Sequence, residues 1–169
     1  MLGNHDNREG LGPTGVSAAV LATLRDHGAA TRLTMKDIRL MESHLQRCAA
    51  SNAVISRLVD EILRRKLAHC QVVEEADVPP ELAIGNSLIR YRINQGEPRT
   101  GLLFHRMARQ VDTDHLSVFS LAGATVIGLS AGQSAPLLRT DCTFGTITLL
   151  DVVSQPVTVS GPSGRRRRS

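Results

Sequence analysis

The 169-residue chain has no tryptophan, one tyrosine and three phenylalanines. Burial must therefore rest on Val, Ile, Leu and Ala, and base stacking on aromatic rings is poorly provided for. Cysteine is equally sparse. Cys48, Cys70 and Cys142 give neither the even count of a disulfide framework nor the close pairs of a zinc site. A reducing cytoplasm fits that usage, and no basic segment precedes the apolar "GVSAAVLATL" at 15–24, so a secretory signal is not expected. Metal spacing is absent too: His5, His27, His44, His69, His105 and His115 are scattered, and no metal or cofactor is expected. His105 and His115 are read as strand-end histidines.

Charge of one sign is missing from the body of the chain. The net charge is +4, but Arg165, Arg166, Arg167 and Arg168 account for all of it. These four follow "SGPSG" and form a short basic tail, expected to be solvated, with phosphate or an acidic surface as its candidate contact. The basic trio "RRK" at 64–66 is the other candidate for nucleic-acid contact.

One long run lacks charge altogether. Residues 116–138, "LSVFSLAGATVIGLSAGQSAPLL", contain no acidic or basic side chain, yet only 13 of the 23 are apolar. A membrane span needs about twenty predominantly apolar residues in sequence. Breaks at Gly123, Gly128 and Gly132 divide the run instead into a strand, one helical turn, a tight turn and a second strand. It reads as packed interior of a chain without a membrane partner.

What is present begins with a leader, residues 1–32, expected to be flexible and carrying one helical pattern at 17–28. Its "GNHD" block, Gly3 to Asp6, spells part of a metallophosphoesterase motif, but only two residues precede it and chance explains it better. At Thr34 the pattern sharpens: Thr34 and Asp37 resemble a capping box, and Ile38, Met41, Leu45 and Cys48 form one apolar seam. After "AASN" a second seam runs through Ile55, Leu58 and Ile62, widened by Val59, Leu63 and Leu67. So short a turn predicts an antiparallel helical hairpin, a short coiled coil, over 33–72.

Pro79 and Pro80 mark residues 73–81 as a linker, because neither can continue a helix. Beyond it the apolar period shifts towards two. "SLIRYRI" at 87–93, "RTGLLFHRM" from 99, "LSVFS", "SAPLLR" and the long "FGTITLLDVV" from 144 read as strands of a mostly antiparallel sheet. The fold class is therefore α+β, with a β domain over 82–157 that includes one short helix, and a tail over 158–169.

The segment "LSVFSLAGATVIGLSAGQS" resembles the signature of the C-terminal domain shared by the Gre transcript-cleavage factors and the Rnk family, regulators of nucleoside diphosphate kinase. Ser117, Val118, Ser120, Gly123, Ile127, Gly128, Leu129 and Gly132 fall on matching positions, and the order of elements agrees over 33–157. Leu121 stands where the family usually has Pro, and Gln133 where it usually has Asp. The resemblance implies an FKBP-like second domain and docking on core RNA polymerase at its secondary channel. In Gre factors, acidic residues at the hairpin tip help hold a catalytic metal ion. Here the tip, "LQRCAASNAVISR", has no Asp or Glu, and a helix over 34–49 is only about 24 Å long. Glu42, Asp60 and Glu61 lie about two turns away and are read as solvated charges.

The resemblance thus implies a non-enzymatic cytoplasmic regulator of transcription that competes with Gre-type factors without cleavage. Its expected contacts are Gln46, Arg47, Ser51, Asn52 and Arg57 at the hairpin end, with a second docking face at Ser120, Leu121 and Gly123. The rival reading is a prolyl isomerase or chaperone of FKBP-like fold. That reading needs a pocket lined by aromatic rings, and only Tyr91, Phe104, Phe119 and Phe144 are on offer.

Overall fold

The computed structural model describes residues 31–48, 53–106, 115–141 and 143–156. The leader patterns, Ser51 and Asn52, Cys142 and the four tail arginines lie outside the described residues. Strand β1 (Arg32–Thr34) runs directly into helix α1 (Met35–Cys48). At the junction the Thr34 hydroxyl accepts from the Asp37 backbone N–H at 3.1 Å and donates to the Asp37 carboxylate at 2.9 Å. This is the expected box with Asp in place of Glu; the shorter side chain reaches the hydroxyl. At 14 residues α1 is about 21 Å long.

Helix α2 (Val54–His69) buries Leu58, Val59, Ile62, Leu63 and Lys66, and α1 buries Met41 and Leu45. The two fold back on one another, which brings His44 within 3.7 Å of Asp60 across the pair. The seam is shorter than its period suggests. Ile55, expected to begin it, is 43% exposed, because α1 does not cover the first turn of α2.

The open end of the hairpin is tied by a parallel pair, β1 with β2 (Gln71–Val73), in the register Leu33↔Val72. A 3-10 turn over Glu75–Asp77 follows. The Gln155 amide then donates to the carbonyls of Pro79 at 2.7 Å and Leu82 at 2.9 Å. Residues 73–81 are thus held on the body rather than spanning a gap.

Five strands complete the chain: β3 (Leu88–Ile93), β4 (Arg99–Phe104), β5 (His115–Ser117), β6 (Ser134–Leu138) and β7 (Phe144–Ser154), with helix α3 (Leu121–Val126) between β5 and β6. Their order is β5-β4-β3-β7-β6, and every neighbouring pair is antiparallel except β4 with β5. Period-two alternation sends Ile89, Tyr91, Leu103, Ile147 and Leu149 to one buried face. α3 lies against β5, β6 and β7 on that face, α2 packs on α3, and the buried side chains of hairpin and sheet form one continuous cluster. The uncharged run therefore supplies β5, α3 and β6, and most of it is buried. No described helix is long and apolar enough to cross a membrane.

Two motif glycines fix how α3 sits. A Cβ on Gly123 would lie 1.8 Å from the Ser117 carbonyl oxygen, so only glycine permits that approach. Gly128 has φ +82° and packs against Thr31 and Arg32, where a side chain would be both strained and obstructed.

Candidate functional site: the hairpin end and its mount

At the hairpin end Gln46, Arg47 and Arg57 are exposed, as their sequence positions suggest. Arg47 Nε donates to the Ser43 carbonyl at 3.2 Å, which holds its stem along α1. Sequence reasoning missed two residues here. Val54 is 65% exposed and, with Ile55, presents adjacent β-branched side chains on the first turn of α2. The only signal for them was that they precede the point where the partner helix begins to cover α2.

On α2 the carboxylates nearest this end, Asp60 and Glu61, are engaged within the hairpin, and Glu42 on α1 is exposed. Glu61 accepts from Arg65 Nε at 2.7 Å, one helical turn away. Asp60 faces His44 at ion-pair distance, and burial raises its pKa against the opposing pull of His44 and Arg64. No group of three or more His, Cys, Asp or Glu side chains among the described residues could hold a metal ion. The trio at 64–66 does not form a basic patch either. Arg64 is exposed and Arg65 is paired with Glu61, while Lys66 is buried at 1% exposure.

Lys66 belongs to the mount. Its Nζ donates to the Thr125 carbonyl at 2.7 Å and the Ile127 carbonyl at 2.5 Å, at the C-terminal end of α3. Those carbonyls would otherwise lack partners, as the last carbonyls of any helix do. Burial pushes the Lys66 pKa down to about 7, with the Cys70 thiol acting in the opposite sense. The same burial that lowers Lys66 raises the half-buried Cys70 thiol.

A second tether joins α1 to the sheet. The Asp37 carboxylate, 2% exposed, accepts from the Gly85 backbone N–H at 3.1 Å and meets His105 Nε2 at 2.7 Å, besides its bond from Thr34. A third is a ring contact: His44 stacks on Phe119 with centroids 3.6 Å apart and planes 4° from parallel. Burial lowers the His44 pKa, and Asp60 partly offsets it. His105 is therefore a structural histidine beneath the hairpin, whereas His115 lies edge-on to Phe104, 5.6 Å away.

The expected second docking face, Ser120, Leu121 and Gly123, lies at the start of α3. Ser120 caps α3, its hydroxyl accepting from Gly123 N–H at 3.1 Å and donating to the Ser117 carbonyl at 2.7 Å. Leu121 is 8% exposed and Gly123 is buried. These residues build the start of α3, whose opposite end receives Lys66; Leu121 and Gly123 are buried and Ser120 is half-buried. The two departures from the Gre and Rnk pattern are absorbed locally. Leu121 occupies the first helical position, where Pro is favoured but not required, and the Gln133 amide oxygen accepts from Ser130 N–H at 2.7 Å in the turn before β6.

A cleft of about 390 Å³ lies at the hairpin base, lined by Thr34, Lys36, Asp37, Glu75, Val78, Gly85 and Pro156 among others. None of the four aromatic residues of the β domain lines it. Tyr91 and Phe119 are in the core and Phe144 is 41% exposed.

Among solved structures, the prokaryotic transcription elongation factor GreA/GreB from Nitrosomonas europaea is similar at 19% identity, with a TM-score of 0.55, over 72% of this chain and 98% of that one. Gfh1 from Thermus aquaticus aligns at 14% identity with a TM-score of 0.36, over 73% and 98%. GreA factor homolog 1 from Thermus thermophilus aligns at 14% with 0.34, over 73% and 99%. No family model matches the chain, and no curated protein matches it in sequence. The first similarity establishes a Gre-type fold, helices followed by a curled, mostly antiparallel sheet.

Proposed function

We propose that this protein is a non-enzymatic, cytoplasmic regulator of transcription that binds core RNA polymerase near the secondary channel and competes there with Gre-type factors without cleaving transcripts. The observation that carries this reading is a Gre-type fold whose hairpin end lacks carboxylates. From Gln46 to Val59 the sequence has no Asp or Glu, so the end offers no carboxylate ligand for a catalytic Mg²⁺. The rigid mount supports it as well, because three separate tethers hold the hairpin in one orientation on the sheet.

Within the two families of the signature, the short hairpin favours the Rnk type. Regulation of nucleoside diphosphate kinase belongs to that same proposal. An FKBP-like isomerase or chaperone role gains nothing from a cleft without aromatic rings.

The test is a transcript-cleavage assay on a backtracked elongation complex. Alone, the protein should leave the transcript intact; added to a Gre factor, it should slow cleavage as its concentration rises. Cleavage by the protein itself, or a Gre rate untouched at saturating protein, contradicts the proposal.

A further inference from the structure

We infer that the hairpin end seats in an acidic protein pocket with an apolar floor, Val54 and Ile55 filling the floor and Arg47 and Arg57 meeting carboxylates at its rim. The inference deepens the polymerase reading and rests on it, since polymerase is the protein that would carry the pocket.

Four observations converge. Val54 at 65% and Ile55 at 43% are adjacent, whereas the exposed Val72, Phe144 and Val153 sit singly on strands. Single exposed apolar residues are ordinary, but two neighbouring ones at the free end of a hairpin form a contact patch. Both are β-branched, so little rotamer freedom is lost when they are immobilised.

The surroundings are of one sign. Arg47 and Arg57 are exposed on the two helices that flank the end, and no carboxylate lies between Glu42 and Asp60. A partner that complements this end is acidic.

It is also a protein rather than a nucleic acid. Residues 46–59 include no aromatic ring on which a base could stack, and aliphatic anchors need an apolar pocket that a phosphate backbone does not offer.

The experiment titrates full-length protein into purified core RNA polymerase, beside two double variants, Val54→Ser with Ile55→Ser and Arg47→Glu with Arg57→Glu. All four positions are exposed, so each variant should melt within about 2 °C of the parent. Each double should weaken binding by about tenfold or more. Raising salt should shrink the gap between parent and the arginine variant, and leave the gap to the apolar variant intact. If either double binds as tightly as the parent, the pocket inference is overturned while the polymerase reading stands. If the unaltered protein does not bind, both are overturned.

Discussion

The two ends of the hairpin are made of the same kinds of residue put to opposite uses. At the base, charged and polar side chains are buried and each is fastened to a different part of the sheet domain. Lys66 holds α3, and Asp37 holds the Gly85 turn and His105, while farther out along α1 His44 lies flat on Phe119. At the free end Val54, Ile55, Arg47 and Arg57 are exposed. Burying ions is expensive and exposing adjacent aliphatics is unfavourable, so neither choice serves stability alone. The base fixes direction, and the end is left for a partner.

The base should be fragile, and the sharpest break is steric. Gly123→Ala must displace the Ser117 backbone, so a loss of about 3 kcal/mol or more is expected, read as a large drop in melting temperature. A small loss would mean that α3 can slide without disturbing the mount. Asp37→Ala comes next. It leaves the Gly85 N–H and the His105 ring unpartnered in a buried place, and a loss of about 3 kcal/mol is expected in denaturant unfolding.

The third prediction concerns pH. Lys66 is depressed to about 7 in the folded chain, so between that value and the ordinary lysine pKa the unfolded chain binds more protons than the folded one. Stability should therefore rise as pH increases from about 7 towards 10, by up to a few kcal/mol, since each tenfold difference in proton affinity between the two states is worth about 1.4 kcal/mol. Lys66→Met should flatten that rise. His44, also depressed, works in the lower window: stability should fall as pH drops below the ordinary histidine value of 6.5, because the unfolded imidazole takes up the proton first.

The free end gives the smallest effect. Arg47→Glu or Val54→Ser should change unfolding free energy by no more than about 0.5 kcal/mol, since both residues are exposed. A large destabilisation there would erase the contrast between end and base.

Much of the fold was legible because it is periodic. The seams through Met41, Leu45, Leu58 and Ile62 gave the hairpin, and the alternation around Ile89, Tyr91, Ile147 and Leu149 gave the sheet face. Glycine spacing divided the uncharged run correctly at Gly128 and Gly132, whereas Gly123 lies inside α3 rather than before it. The β1–β2 pair was not legible, because three-residue strands leave no period to read. Lys66 was hidden for a different reason: within "RRK" it looks like its neighbours, and only the placement of α3, far along the chain, decides that it is buried. His105 and Asp37 meet across 68 positions with no local signature. The burial of Leu121 and Gly123 was not legible either, since a turn motif that packs an interior looks in sequence like a motif that contacts a partner.

The most direct measurement is competition for core RNA polymerase. Labelled protein is bound to the purified enzyme, and a Gre factor is titrated in. The account predicts saturable binding that the Gre factor displaces completely, placing the hairpin end at a shared site. Failure to bind at micromolar concentration, or binding that the Gre factor leaves undisturbed, would contradict it.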